Sequence, residues 1–82
     1  MKNSSLFFRE GSSDKEYHIQ LVEVAGGFVV NFQYGRRGGT LKAGTKTLVP
    51  VSLRSAEQIY DKLYQEETRK GYAEGESKQS FQ

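Results

Sequence analysis

Apolar and polar residues alternate through much of the first half of the chain. Within residues 15–24, Tyr17, Ile19 and Leu21 fall on one side of an extended backbone and polar residues fall on the other. This is the period of a strand that buries one face. The apolar run at residues 6–8 predicts a shorter strand before it, at residues 6–9, and a glycine followed by two serines supplies a turn between the two strands.

A third strand begins at Phe28 and runs into a glycine-rich loop. The glycine pair that precedes Phe28 is typical of a hairpin. The loop spans residues 35–44, and connections of this length are usually functional or mobile. The β-branched residues within 45–49 predict a fourth strand, which Pro50 ends.

One long helix follows the strands. Its apolar stripe has spacings of three and four residues and consists of Leu53, Ala56, Ile59, Tyr60, Leu63 and Tyr64. Either Ser52 or Ser55 caps its start, and Gly71 stops it. Neither the helix nor the sheet can bury its apolar side alone. We therefore predict an α+β fold, in which a small, mostly antiparallel sheet of about four strands carries one long C-terminal α-helix packed on one face.

Length and composition limit what the chain can be. Eighty-two residues provide one hydrophobic core, and the absence of cysteine is compatible with a reducing cytoplasm. Residues 1–5 are polar, and the apolar run that follows is far too short for a signal peptide or a membrane span. These features predict a cytoplasmic protein with no membrane partner.

The net charge of +2 conceals a strong asymmetry. No acidic residue lies between Val24 and Ala56, whereas five basic residues do: Arg36, Arg37, Lys42, Lys46 and Arg54. The other seven basic residues share the rest of the chain with all ten acidic residues. Such a distribution is typical of a cationic face that meets a polyanion, and it is also found in solvated surface loops that bind nothing.

Residues that could carry catalysis are sparse. His18 is the only histidine, and it lies on the polar side of the second strand, where a surface role is the usual one. The stretch 39–47 resembles a phosphate-binding P-loop, but Thr45 separates Gly44 from Lys46 and no helix follows directly. We therefore predict that the chain is not an enzyme and takes no metal, cofactor or small-molecule substrate.

The end of the third strand combines an aromatic residue with arginine. Basic side chains attract the phosphate backbone of nucleic acid, and an aromatic ring beside them can stack on a base or a sugar. The candidate contact residues are Gln33, Tyr34, Gly35, Arg36, Arg37, Lys42 and Lys46. Strand parity places Tyr34 on the same side as Phe32, toward the core, so a purely structural role for this ring is the alternative.

A longer ordered pattern surrounds this step. It consists of Tyr17-His18-Ile19-Gln20-Leu21, Gly26-Gly27-Phe28-Val29-Val30, Tyr34-Gly35-Arg36, Gly38, Gly39, Gly44-Thr45-Lys46-Thr47, Ala56, Tyr60 and Gly71-Tyr72. This pattern covers residues 15–72 and resembles the WGR domain, a module of poly(ADP-ribose) polymerases that also occurs in small bacterial proteins.

The resemblance implies a compact α+β fold and a role in binding nucleic acid, DNA in particular. In the polymerases the tryptophan of the motif lies against the sugar-phosphate near a strand end. Its place falls here to Tyr34, and the glycine and arginine of the motif correspond to Gly35 and Arg36. Tyrosine can still stack, but with a smaller ring.

The resemblance also suggests a division of the chain. Residues 1–14 form an N-terminal strand and turn, residues 15–72 the WGR-like domain, and residues 73–82 a flexible tail. We expect a free-standing bacterial-type module that contacts phosphates through residues 34–46. Its sequence specificity is low because no helix is positioned to read a DNA groove. The alternative is a protein-protein interaction module that uses the same face.

Overall fold

A computed structural model describes residues 2–74 of the chain. Its elements follow in the order β1 (Lys2–Glu10), β2 (Ser13–Val24), β3 (Gly27–Arg36), β4 (Lys42–Thr45) and α1 (Leu53–Arg69). The strands form an antiparallel sheet in the order β1-β2-β3-β4, so each strand pairs with its neighbour in the chain. The predicted α+β fold, with one helix after the sheet, is confirmed for this part of the chain.

The pleat of the sheet separates two faces of different composition. The helix-side face includes Ser4, Leu6, Phe8, Lys15, Tyr17, Ile19, Leu21, Phe28, Val30, Phe32, Tyr34, Arg36 and Lys42. The open face, on the other side, includes Asn3, Ser5, Phe7, Glu16, His18, Gln20, Val22, Val29, Asn31, Gln33 and Ala43. The helix α1 packs on the helix-side face.

The core lies between the middle of the sheet and α1. Its buried apolar residues are Leu6, Tyr17, Ile19, Leu21 and Val30 from the strands and Ala56, Tyr60 and Leu63 from the helix. Each large aliphatic side chain among them stabilises the fold by about 1.5–3 kcal/mol through burial. Leu53, the first residue of α1, is exposed, although the helical stripe places it toward the core.

Both ends of α1 are capped. Of the two serines predicted as candidates, Ser52 is the N-cap, and its hydroxyl oxygen accepts a 3.1 Å hydrogen bond from the Ser55 N–H. At the other end Gly71 adopts a φ of 112°, which lets the Tyr72 N–H donate back to the Glu67 carbonyl at 3.1 Å. This is the hydrogen bond of a Schellman motif, and the predicted stop at Gly71 is confirmed.

The fourth strand lies earlier in the chain than predicted. We expected it at residues 45–49, but β4 is Lys42–Thr45. Gly44 pairs with Phe32, and a Cβ on Gly44 would lie 2.5 Å from the Phe32 ring. The glycine that reads as a loop residue is therefore what allows the strand to pass over this ring.

After β4, threonine hydroxyl groups hydrogen-bond to the backbone of β3. The Thr47 hydroxyl accepts a hydrogen bond from the Val30 N–H, and the Thr45 hydroxyl donates to the Val30 carbonyl, each at 3.1 Å. The Val30 carbonyl also accepts a 2.9 Å hydrogen bond from the Lys46 N–H, so a side chain replaces a backbone partner only at the Val30 N–H. Leu48 and Val49 consequently point to solvent, with exposed fractions of 94% and 67%.

The edge of the sheet at β1 is longer than the predicted strand at residues 6–9. In addition, Ala73 pairs with Phe7 through two backbone hydrogen bonds of 2.8 and 2.9 Å. The rest of the tail that we predict to be flexible, residues 75–82, lies outside the described part of the chain. No helix within residues 2–74 is both long enough and apolar enough to cross a membrane.

Candidate nucleic-acid interface

The helix-side face is not completely covered by α1. Beside the helix lies a groove of about 1170 Å³. Its aromatic residues are Phe8, Tyr17, Phe32, Tyr34 and Tyr72, and its basic residues are Lys15, Arg36, Lys42, Lys46 and Lys70. Leu63, Glu66 and Glu67 form the wall on the side of α1. We call this site the groove.

The floor of the groove is a cluster of rings. Tyr17 is nearly parallel to Phe32 and to Tyr34, at centroid distances of 5.9 and 5.6 Å, and the Phe32 and Tyr34 rings lie 6.0 Å apart. Tyr72 meets Tyr17 edge-on at 5.8 Å. Tyr34 therefore lies on the core side of the sheet, as parity predicts, and is nevertheless 39% exposed because α1 does not reach it. Part of Tyr34 is therefore accessible from the groove.

The wall of the groove contains a buried acid. Glu67 is 5% exposed, and its carboxylate accepts a 3.2 Å hydrogen bond from the Lys70 ammonium. Burial, followed by the charge of Glu67, raises the pKa of Tyr17 to about 12. The Tyr17 hydroxyl thus stays protonated at neutral pH and remains a hydrogen-bond donor.

Two lysines lie beside the aromatic floor on the side of β4. Lys42 is the direct cross-strand partner of Tyr34. The Lys46 ammonium lies 5.8 Å from the centroid of the Phe32 ring, within the range of a cation–π contact. Both predicted lysines therefore belong to the same groove as the tyrosine.

Arg36 lies at the end of the groove where β2 and β3 pair. Its direct cross-strand partner is Lys15, on the same face of the sheet. Ser12 from the turn before β2, and Ser13 and Asp14 at the start of β2, line the groove as well. This end of the groove thus has two cations, two hydroxyl groups and one carboxylate.

Two of the predicted residues lie on the other side of the sheet. Gln33 pairs with His18 on the open face, where it lines a second cavity of about 550 Å³. The guanidinium carbon of Arg37 lies 4.8 Å from the centroid of the Phe7 ring, also on the open face. The structure thus brings together Tyr34 and Arg36 with the two lysines, and separates Gln33 and Arg37 from them.

Gly35 has a steric role in this arrangement. A Cβ at this position would lie 3.0 Å from the Thr40 carbonyl oxygen and 3.2 Å from a methyl carbon of Leu41. Its missing side chain lets the loop of residues 37–41 fold against the end of β3. The middle residue of the motif therefore positions its two neighbours without offering a side chain of its own.

The single histidine belongs to a hydrogen-bond network on the open face. Its Nε2 lies 2.7 Å from a Glu16 carboxylate oxygen, and its Nδ1 lies 2.8 Å from the Ser5 hydroxyl oxygen. The other Glu16 oxygen accepts a hydrogen bond from the Gly38 N–H at 3.2 Å. Burial raises the pKa of Glu16, but hydrogen bonds from His18 and Gly38 and attraction to His18 and Arg37 outweigh it, so the pKa lies below its usual range. The network ties the loop to the sheet.

The sequence did not single out every residue of the groove. Lys15 shares the parity of Tyr17, so the strand period could have placed it on this face. Tyr72 and Lys70 carry no comparable signal, because their position depends on where α1 ends relative to the sheet. Among residues 2–74, no three acidic or histidine side chains are grouped closely enough to hold a metal ion.

The described residues thus form a small α+β domain whose groove is aromatic on its floor and has basic residues along its rim. The chain is a member of the WGR domain family, whose model matches residues 5–79. The WGR domain is a non-catalytic binding module, and the family is associated with nucleic acid. No curated protein and no solved structure matches the chain.

Proposed function

We propose that this chain binds nucleic acid, DNA foremost, through the groove. Tyr34 stacks on a base or sugar, while Arg36, Lys42 and Lys46 contact phosphates. Gly35 keeps the loop close enough for these contacts. Gln33 and Arg37, on the open face, contact the nucleic acid only where it continues around the end of β3.

The observation that carries this proposal is the exposed ring of Tyr34 among cations. A ring whose only role was to close the core would be covered by α1, whereas Tyr34 is 39% exposed and pairs with Lys42. Stacking on an aromatic ring together with phosphate attraction is how many proteins hold a nucleic-acid strand.

The same geometry favours low sequence specificity. Reading bases in the major groove needs a protruding helix or a two-stranded ribbon that carries base-specific side chains. Here α1 lies flat on the sheet, and the groove offers rings and cations, which recognise the faces of bases and the phosphates. The expected signature is binding that depends strongly on salt and weakly on sequence.

Titration of labelled oligonucleotides tests the proposal. Blunt duplex, nicked duplex, single-stranded DNA and RNA are titrated at several salt concentrations, and fluorescence anisotropy reports binding. We expect binding that weakens with salt, and a loss of about tenfold or more in Arg36→Ala with Arg37→Ala. Lys62→Ala, on the exposed side of α1, is the matched control. Binding that ignores salt, or is the same in the double variant and the control, would overturn the proposal.

Protein interaction is the second candidate function, and one observation favours it. Leu48 and Val49 are highly exposed, and the exposed Leu53 follows them at the start of α1. Val51, beside them, pairs with Phe28 at the opposite end of β3 from Arg36. The apolar patch is therefore separate from the groove. Leu48→Ser with Val49→Ser should abolish capture of a protein partner that survives nuclease treatment; capture that requires intact nucleic acid argues against this function.

A further inference from the structure

Two like charges face each other at the end of the groove. Lys15 in β2 and Arg36 in β3 are direct cross-strand partners, and both side chains are exposed on the helix-side face. Directly opposed side chains in an antiparallel pair lie close enough to interact, and like charges in that position destabilise the sheet. The sheet therefore carries an unfavourable pair at the mouth of its binding groove.

Within residues 2–74 neither member of this pair has an ion-pair partner. No carboxylate there lies within 4.0 Å of the Lys15 or Arg36 side chain, and neither side chain forms a hydrogen bond. The contact found for Lys15 is with the Phe8 ring, whose centroid lies 5.6 Å from its ammonium. Of the acids that line the groove, Glu67 is paired with Lys70, and Asp14 and Glu66 form no ion pair with either cation.

We propose that Lys15 and Arg36 form a phosphate fork, a site in which one phosphodiester group of the bound strand lies between the two cations. A phosphodiester is an anion with several acceptor oxygens, and arginine and lysine are its usual partners. The inference rests on the proposed function for the source of the phosphate, and it adds Lys15 as a contact residue.

The fork also orients the strand. Arg36 follows Tyr34 by two residues on the same face of β3, a separation of roughly 7 Å along a strand. A phosphate held by the fork and a base stacked on Tyr34 therefore belong to the same short stretch of nucleic acid. The lysines of the β4 side, Lys42 and Lys46, are left for neighbouring phosphates.

The first arm of the test is the thermal stability of the chain without nucleic acid. Removing either charge, by Lys15→Gln or Arg36→Gln, should raise the melting temperature by roughly 1–4 °C because the repulsion is lost. The double variant should gain no more than either single variant. Inorganic phosphate, compared with chloride at equal ionic strength, should stabilise the parent chain and not Lys15→Gln. Equal stabilisation of both chains by phosphate overturns the fork, whether or not the chain binds nucleic acid.

The second arm is the salt dependence of oligonucleotide binding. Lys15→Gln should weaken binding about threefold to tenfold and lower the slope of log K against log salt by about 0.7–0.9, the value of one phosphate contact. Lys15→Arg should restore both, and Lys62→Gln controls for the loss of one charge. If Lys15→Gln binds like the control while Arg36→Gln is impaired, the fork is wrong and the proposed function stands. If the parent chain binds no oligonucleotide, the proposed function fails. The stabilisation by inorganic phosphate then tests on its own whether Lys15 and Arg36 bind an anion.

Discussion

Two adjacent arginines lie on opposite faces of the sheet and make different contacts. Arg36, the last residue of β3, lies in the groove opposite Lys15, whereas the guanidinium of Arg37 lies over the Phe7 ring on the open face. The two side chains of this basic dipeptide thus point to opposite faces, because successive residues alternate in a strand and because β3 ends between them. One arginine is available to an anion, and the other helps to hold a loop.

The faces also differ in what surrounds these arginines. The helix-side face changes from aliphatic core to aromatic rings to cations along its length. The centre of the open face carries neutral polar side chains, Gln20, Asn31 and Gln33 among them. An antiparallel sheet commonly has one packed face and one solvated face. The groove exists because α1 covers only part of the helix-side face.

The largest expected difference between the faces is in stability. Ile19→Ala, on the helix-side face, removes a fully buried side chain and should lower the free energy of unfolding by about 2–5 kcal/mol. Gln20→Ala, the next residue and on the open face, should change it by no more than about 0.5 kcal/mol. Urea unfolding measures both. Comparable losses in the two variants would mean that the open face is also packed.

A smaller difference is expected in binding. Arg36→Gln should weaken oligonucleotide binding about tenfold, because it removes a phosphate contact from the groove. Arg37→Gln should weaken it less than about threefold, since its side chain points to the other face. Anisotropy titrations at one salt concentration compare the two. Equal losses would show that the loop itself, rather than the helix-side face, meets the nucleic acid.

Alkaline pH should weaken the helix-side face in particular. The pKa of Tyr17 is raised to about 12 in the folded chain, and an unfolded tyrosine titrates near about 10. Stability from this group is complete below pH 10 and is lost as the pH rises through 12. Tyr17→Phe should therefore lose less stability between pH 9 and 11 than the parent chain, as measured by urea midpoints.

Part of the alkaline loss should remain in that variant. Burial also raises the pKa of Tyr60, despite its hydrogen bond with Ser4. A Tyr17→Phe variant that loses stability as steeply as the parent chain would show that Tyr17 is not the group responsible.

The smallest effect is expected on the open face at acidic pH. The pKa of Glu16 is depressed in the folded chain, so its contribution is present above the ordinary pKa and is lost as the pH falls through the folded value. In NMR spectra the Gly38 amide, which donates to this carboxylate, should shift as the pH falls below the ordinary range of a glutamate. Glu16→Gln should abolish that shift, and Glu57→Gln should preserve it. A Gly38 amide that does not titrate in the parent chain contradicts the assignment.

The sequence predicted the fold because its periodicities are strong. Alternation at Tyr17, Ile19 and Leu21 and the apolar stripe of the helix determine which surfaces are buried. The position of β4 could not be read in the same way. The strand lies at residues 42–45 because Gly44 fits over the Phe32 ring, and it ends there because the Thr47 hydroxyl accepts the hydrogen bond from the Val30 N–H. Both are tertiary effects. Local β propensity instead pointed to residues 45–49, which leave the sheet.

The candidate site was predictable only as far as strand parity extends. Strand alternation correctly places Tyr34 and Arg36 on the helix-side face. It places Lys15 there as well, although Lys15 was not among the predicted contact residues. Arg37 lies beyond the end of β3, where the positive φ of Gly38 and the contact with Phe7 direct the chain. The exposure of Tyr34 depends on how far α1 covers the sheet, which no local pattern encodes.

The cluster of rings in the groove also determines where the fluorescence of the protein originates. The chain contains no tryptophan and five tyrosines. Three of these tyrosines, Tyr17, Tyr34 and Tyr72, lie in the groove. The intrinsic emission of the protein therefore comes largely from the place where a strand is expected to stack. A base resting on Tyr34 should quench that emission, so an unlabelled chain reports its own occupancy.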